Sequence, residues 1–133
     1  MLGSDDDRVV VIGVVESPLR DRTDAPRQPG EGAPAAWLAI EPAYADALDG
    51  LGPGARIVVL TWLHLADRST LLVYPRDDRS RPLTGVFATR SPDRPNPIGL
   101  HTVTVLERDG CRLRVDALEA VNGTPVVDLK IAI

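Results

Sequence analysis

The chain has 133 residues, of which 44% are hydrophobic and 26% are charged, so it is long enough for one domain with one core. This ordinary balance argues against disorder along the whole chain, and no apolar run approaches the roughly 20 residues that a membrane-spanning helix needs. The formal net charge of −4 at pH 7 argues against a protein that coats nucleic acid through bulk positive charge.

The single cysteine, Cys111, excludes an internal disulfide and leaves too few thiols for a cysteine-based metal site. The acidic N-terminus, MLGSDDDRVV, lacks the order of basic, apolar and small residues that marks a signal peptide. We therefore expect a cytoplasmic protein with neither a metal nor a membrane partner. We also expect one domain over residues 1–133, with residues 1–8 disordered.

The first half of the chain predicts two strands separated by a long loop. Val9–Val15 is rich in β-branched residues and predicts a buried first strand, and Trp37–Ile40 predicts a second. Between them, Ser17–Pro34 is rich in Pro, Gly, Arg and Asp and predicts a loop that is either functional or disordered. Pro42 suits the first turn of a short helix that ends near Gly50.

The second half predicts a series of short strands, namely Ile57–Leu65, Leu71–Tyr74, Leu100–Leu106, Arg112–Ala117 and the closing strand Val126–Ile131. The turn Glu107–Gly110 would join two of them into a hairpin. Six or seven short strands and one short helix predict a mainly β domain. We expect a small, single-sheeted, antiparallel-rich β-barrel with long functional loops.

Alternation along the predicted hairpin indicates which side chains face the core. In its first strand Val103 and Val105 lie on one face, and Thr102 and Thr104 lie on the other. In its second strand we expect the inward residues to be Leu113, Val115 and Ala117, and the outward residues to be Arg112, Arg114 and Asp116.

The stretch FATRSPDRPNPIG, Phe87–Gly99, can neither extend a helix nor lie inside a sheet, because each proline removes a donor and restricts the residue before it. It is either a linker or a rigid loop directed at an anionic or polar ligand. Arginines crowd this part of the chain, so a local basic face is compatible with an acidic molecule; they are Arg76, Arg79, Arg81, Arg90 and Arg94.

The remaining polar residues have ordinary structural interpretations. His64 lies in the apolar run TWLHLAD, which predicts a hydrogen-bonded core histidine rather than a metal ligand. Cys111 follows a turn glycine and is expected to be structural or simply exposed. NGTPVVDLK predicts a turn and a strand that ends with a surface ion pair between Asp128 and Lys130.

Four segments together resemble one family, the TsaA-like proteins (TrmO family). In order they are VIGVVESP, PRQ at Pro26–Gln28, GVFATRSPDRPNPIGL and NGTPVVDLK, and the resemblance extends from about Val11 to Lys130. It implies a methyltransferase dependent on S-adenosylmethionine, built on a single-sheeted β-barrel and usually dimeric. The implied substrate is N6 of threonylcarbamoyladenosine at position 37 of threonine tRNA.

The same resemblance implies where each ligand binds. The implied cofactor contacts are Pro29, Gly30, Glu31, His64, Leu65, Arg90, Leu100, Asp116, Ala117, Leu118 and Glu119. The implied substrate contacts are Arg27, Gln28, Arg94, Asn96, Asp128 and Lys130. The resemblance makes His64 a cofactor neighbour rather than a core residue. It identifies no general base.

The chain departs from the family pattern at its end. Family members commonly continue the last motif as Asp-Ile-Lys-Pro-Tyr, whereas Asp128-Leu129-Lys130 is followed here by Ile131. We also expect no counterpart of the additional carboxy-terminal domain of the longer members. A second interpretation therefore stays open, in which an S-adenosylmethionine-binding barrel methylates a small molecule or binds a nucleoside ligand without catalysis.

Overall fold

The computed structural model describes residues 5–22 and 32–133. Five predicted contacts therefore lie outside the described residues, namely Arg27, Gln28, Pro29, Gly30 and Glu31. Half of the predicted loop Ser17–Pro34 also lies outside them. Within the N-terminal segment that was expected to be disordered, Asp5–Asp7 forms a short 3₁₀ turn.

The strands in chain order are β1 (Gly13–Glu16), β2 (Ala36–Ile40), β3 (Arg56–Trp62), β4 (Leu72–Val73), β5 (Thr84–Gly85), β6 (Ile98–Asp109), β7 (Arg112–Val115) and β8 (Pro125–Ile131). Further 3₁₀ helices lie at Pro42–Leu48, Pro75–Asp77 and Val86–Ala88. The predicted helix after Pro42 is confirmed, and it is of the 3₁₀ type. Among the described residues, no helix is both long enough and apolar enough to cross a membrane.

A closed antiparallel barrel forms the body of the domain. Its strand order is β1-β2-β7-β6-β3-β8, and β8 pairs with β1 to complete the ring. Strands β4 and β5 form a separate two-stranded sheet. Closure leaves the barrel without open edge strands. The mainly β prediction is confirmed, and the small second sheet is an addition to it.

The core fills the inside of the barrel with the residues that the alternation predicts. Val103 and Val105 on β6, and Leu113 and Val115 on β7, are at most 1% exposed. The hairpin is also confirmed, although β6 continues to Asp109 before the chain turns. The inward placement of Ala117 was wrong, because Ala117 lies beyond β7 at a positive φ of 37°.

The first strand is shorter than predicted. β-branched side chains favour an extended chain, but the β1–β2 ladder ends where Gly13 pairs with Ile40. Val9, Val10 and Val11 precede the strand and are more than half exposed, so their prediction as buried strand residues was wrong.

Gly13 occupies a position where three strands meet. It pairs with Ile40 of β2 on one side and with Val126 of β8 on the other. A Cβ at this position would lie 3.0 Å from the Cα of Ile40 and closer still to the carbonyl oxygen of Ala39. Since both of those atoms belong to the backbone, a side chain here would force the two strands apart.

We expect Gly13→Ala to lower the free energy of unfolding by about 1–3 kcal/mol, because the backbone of β2 must move to admit the methyl group. Gly85→Ala is the matched control, since its added Cβ would meet nothing within 4 Å and its φ is −59°. Urea denaturation of both variants measures the difference. Equal losses in the two variants would contradict the close packing at Gly13.

Candidate functional site

A cleft of about 1280 Å³ opens beside the barrel. Its walls come from the loop after β3, the loop formed by residues 88–94, the start of β6 and the segment 119–121. Pockets for drug-sized ligands measure about 300–1,000 Å³, so this cleft has room for a cofactor and part of a second molecule.

The cleft gathers part of the predicted site. It is lined by the predicted cofactor contacts His64, Leu65, Arg90, Leu100 and Glu119, and by the predicted substrate contact Arg94. The other described candidates are absent from its lining, namely Asn96, Asp116, Ala117, Leu118, Asp128 and Lys130.

His64 is not the core histidine that its apolar run predicts. Strand β3 ends at Trp62, and the N–H of Ala66 donates to the carbonyl of Leu63 at 3.0 Å, so the chain turns directly after the strand. His64 is therefore exposed, and it lies on the wall of the cleft. The barrel contains a buried histidine at another position, His101.

The segment Asp116–Glu119 brings only its last residue to the cleft. The carboxylate of Asp116 accepts a hydrogen bond from the N–H of Thr104 (2.8 Å), so Asp116 extends the β6–β7 pairing. Ala117 turns the chain, and Leu118 is completely buried in the core. Any cofactor contact of these three residues stays a prediction.

The other predicted substrate residues also have protein partners. The side-chain oxygen of Asn96 accepts a hydrogen bond from Arg68 at 3.3 Å. Lys130 forms an ion pair with Asp128 at 3.2 Å, as the surface interpretation of this strand predicts. Their role toward a substrate stays a prediction.

Residues 87–97 form a loop of the domain rather than a linker. The side chain of Arg94 stabilises this loop through hydrogen bonds to its backbone carbonyls. Its Nε donates to the carbonyl of Ser91 at 2.8 Å, and a terminal nitrogen donates to the carbonyls of Thr89 (2.6 Å) and Val86. These bonds give Arg94 a structural role, and its contact with the substrate stays a prediction.

Asp93 ties the same loop to its neighbours in space. Its carboxylate accepts hydrogen bonds from the side chain of Arg22 (2.9 Å) and from the N–H of Asp67 (2.8 Å). The hydroxyl and the N–H of Ser69 in turn lower the pKa of the Asp67 carboxyl. One carboxylate thus joins the loop to the chain after β1 and to the chain after β3.

Arg68 adds a further link from the chain after β3. Its Nε donates to the carbonyl of Pro95 at 2.8 Å, and its guanidinium lies 4.9 Å from the centre of the Trp62 ring. The loop is therefore held at several points, which supports its interpretation as a rigid loop.

Arginines outnumber carboxylates among the described residues of the cleft wall. The arginines are Arg22, Arg56, Arg76, Arg81, Arg90 and Arg94, against Asp77, Asp93 and Glu119. Arg90 is exposed and makes no hydrogen bond or ion pair within the described part of the chain. The cleft is thus locally basic on an acidic molecule, and Arg90 offers its guanidinium to a ligand.

A series of buried polar side chains, joined by hydrogen bonds, lies at the base of the cleft. Nδ1 of His101 is 2.7 Å from Oε1 of Glu119, and Nε2 is 2.7 Å from Oγ1 of Thr61. Neither His101 nor Thr61 was predicted as a site residue. Alternation along β6 could have placed His101 on the inward face with Val103, but nothing in the sequence indicates its partners.

Comparison with known protein families finds a match over most of the chain. Residues 14–132 match the model of the tRNA-methyltransferase O N-terminal domain. A relative from Methanothermobacter thermautotrophicus, named a probable S-adenosyl-L-methionine-binding protein, is 48% identical over 92% of this chain and 88% of its own length. An S-adenosyl-L-methionine-binding protein from Archaeoglobus fulgidus is 44% identical over 90% of this chain and 84% of its own length.

Solved structures give the same relationship. The crystal structure of TrmO from Pseudomonas aeruginosa is similar to this fold with a TM-score of 0.76 and 31% identity. The similarity covers 100% of this chain and 57% of the Pseudomonas chain, so this protein spans little more than half of that length. A family match over residues 14–132 and relatives above 40% identity lead to one conclusion: the chain belongs to the TrmO N-terminal domain family.

Proposed function

We propose that this protein is a methyltransferase dependent on S-adenosylmethionine and that it binds the cofactor in the cleft. The observation that carries the proposal is the convergence of His64, Leu65, Arg90, Leu100 and Glu119 on this one cleft. The names of the Methanothermobacter and Archaeoglobus relatives support the same cofactor.

The chemistry of the wall fits the cofactor's groups. Arg90 matches a carboxylate through the planar fork of its guanidinium. Leu65 and Leu100 are about half exposed and offer apolar surface to an adenosine or to an aliphatic chain. Oε2 of Glu119 is buried and has no hydrogen-bond partner among the described residues, so it suits a donor or cationic group.

S-adenosylmethionine supplies a methyl group on a positively charged sulfur. When bound, it would supply that methyl group to an acceptor nitrogen: the carbon–sulfur bond would break as the carbon–nitrogen bond forms, S-adenosylhomocysteine would leave, and the proton of the nitrogen would pass to water. Alignment of the acceptor, methyl and sulfur can account for much of the acceleration. A loop fixed by Arg94, Asp93 and Arg68 suits that task, because it holds the residues of the wall in place.

The proposed acceptor is N6 of threonylcarbamoyladenosine at position 37 of threonine tRNA. The family description supports a tRNA substrate, and the arginines around the cleft are suited to phosphates. Binding through phosphates would weaken as salt concentration rises. This activity corresponds to a cytoplasmic location, where tRNA is modified.

For cofactor binding, we expect Arg90→Lys to weaken the affinity for S-adenosylmethionine about tenfold, because lysine cannot form paired bonds to a carboxylate. Arg114→Lys is the control, since Arg114 lies on β7 and pairs with Glu107 at 3.8 Å, away from the cleft wall. Isothermal titration calorimetry measures both. Unchanged affinity in Arg90→Lys would leave Arg90 as a surface residue, and an absence of binding to the unmutated protein would overturn the cofactor assignment.

For the substrate, tRNA that carries threonylcarbamoyladenosine is incubated with the protein and S-adenosylmethionine, and its nucleosides are analysed by mass spectrometry. We expect one additional methyl group on that nucleoside, and none when the cofactor is omitted. If the protein binds the cofactor and leaves tRNA unmodified, the tRNA proposal is overturned. The alternative of a small-molecule methyltransferase or a ligand-binding module would then be favoured.

We also propose that the protein forms a homodimer. Large apolar side chains are exposed next to one another around the two-stranded sheet, namely Leu71, Leu72, Leu83 and Phe87, and Phe87 is 82% exposed. The pairing of Leu72 with Gly85, and the bond from the N–H of Val86 to the carbonyl of Leu71, bring these segments together. Contiguous apolar surface of this kind is typical of a protein interface.

Sedimentation velocity measures the oligomeric state. We expect the unmutated protein to sediment as a dimer and Phe87→Ser to shift it toward the monomer, since the substitution removes the most exposed aromatic surface of the patch. Val9→Ser, at another exposed apolar residue, should leave the dimer intact. A monomeric unmutated protein with full activity would contradict the proposal.

A further inference from the structure

Three polar side chains form a continuous hydrogen-bonded series inside the mouth of the barrel. Thr61 is completely buried, His101 is 4% exposed, and the side chain of Glu119 is 13% exposed. Both ring nitrogens of His101 are engaged at 2.7 Å, one by each neighbour. A buried polar series of this kind requires a reason, because removing polar groups from water costs free energy unless each one is satisfied.

The backbone around Thr61 makes room for this series. Thr61 lies opposite Gly99 in the β3–β6 ladder, and the pairing of β3 with β8 shifts register between Leu60 and Thr61. A Cβ on residue 99 would lie 2.6 Å from Nε2 of His101 and closer still to Oγ1 of Thr61. The bond between His101 and Thr61 therefore occupies the space that a side chain at position 99 would fill.

Glu119 approaches from the other side on a fixed segment. The N–H of Leu118 donates to the carbonyl of Pro34 at 2.9 Å, and the Leu118 side chain is completely buried. Ala120 follows and is also buried. With a buried residue on each side, Glu119 can direct its carboxylate only toward His101 and the cleft that it lines.

Hydrogen-bond chemistry gives each atom of the series a role. A carboxylate only accepts, so Nδ1 of His101 donates to Oε1 of Glu119. Nε2 then faces the hydroxyl of Thr61, which can donate or accept. Oε1 is thereby occupied, while Oε2 is buried without a hydrogen-bond partner among the described residues. An unsatisfied buried carboxylate oxygen is costly, so a ligand group that satisfies it would gain affinity.

We propose that His101 is a positioning residue that, together with Thr61, holds the Glu119 carboxylate by Oε1 and so presents Oε2 to a hydrogen-bond donor or cationic group of the cofactor. The inference rests on the proposed function, since it concerns binding of S-adenosylmethionine in the same cleft. The cofactor carries such chemistry at its sulfonium, its α-ammonium group and its ribose hydroxyls. His101 lines the cleft but acts through Glu119, because both of its ring nitrogens are already engaged by Glu119 and Thr61.

The test compares His101→Leu, which removes the donor to Glu119, with His101→Asn, whose side-chain amide can still donate from about the position of Nδ1. Val103→Ala is the matched control, because Val103 is completely buried on the same face of β6 and is not part of the cleft wall. Calorimetric affinity and melting temperature are measured for each. We expect His101→Leu to weaken binding of S-adenosylmethionine about tenfold, and we expect His101→Asn to recover most of the loss.

Val103→Ala separates positioning from simple destabilisation. It should lower the melting temperature through the cavity that it leaves, yet keep the affinity within about twofold of the unmutated protein, since it touches neither Glu119 nor the ligand. If Val103→Ala weakens binding as much as His101→Leu does, the effect of His101 is structural and the proposal is overturned.

A double-mutant cycle tests whether His101 works through Glu119. In a Glu119→Gln background no carboxylate remains to be positioned, so the further change His101→Leu should cost little additional affinity. Independent, additive losses would overturn the proposal. Failure of the unmutated protein to bind S-adenosylmethionine would instead overturn the proposed function and this inference with it, so the two failures are distinguishable.

Two cofactor analogues identify the group that Oε2 accepts. S-adenosylhomocysteine lacks the sulfonium charge, and methylthioadenosine lacks the amino-acid part. An effect of His101→Leu that is confined to S-adenosylmethionine indicates the sulfonium. If His101→Leu weakens both S-adenosylmethionine and S-adenosylhomocysteine but not methylthioadenosine, the group is the α-ammonium. If it weakens all three ligands, the group is a ribose hydroxyl. An effect on none of them overturns the proposal.

Discussion

The cleft depends on how a proline-rich loop satisfies its own carbonyl groups. Each proline in residues 87–97 removes a backbone N–H, so the loop has fewer donors than acceptors. Arg94 compensates by donating to the carbonyls of Val86, Thr89 and Ser91. A guanidinium is suited to this position because it carries five N–H groups in one plane. The loop that lines the cleft is therefore stabilised by a side chain from within itself.

The barrel was largely predictable because alternation is a direct consequence of strand geometry. Val103, Val105, Leu113 and Val115 are buried as their spacing predicts, and β8 closes the sheet near the predicted residues. The ends of strands were not predictable from local composition. Val9–Val11 favours extended structure as strongly as the strand that follows, yet the ladder with β2 ends at the pair Gly13 and Ile40.

The site was predictable in part. A sequence motif indicates which residue types are present, but it does not indicate which side chains touch one another in the fold. Arg90, His64 and Leu100 reach the cleft because they lie in or next to the rigid loop and the ends of its neighbouring strands. Asp116 has the chemistry of a ligand-binding residue, but its carboxylate is engaged by Thr104. His101 was missed because its partners are 40 residues before it and 18 residues after it in the chain, and no local pattern reports such a pair.

The close approach of Gly99 to Thr61 and His101 also bears on how the family can diverge. A side chain at position 99 is incompatible with this histidine and threonine, and only smaller residues at both position 61 and position 101 would relieve the restriction. Substitutions at positions 61, 99 and 101 are therefore epistatic: the fitness effect of each depends on the residues at the other two. An evolutionary path that replaces both the threonine and the histidine first leaves the glycine free to change afterwards, whereas a path that changes the glycine first passes through a sterically blocked intermediate.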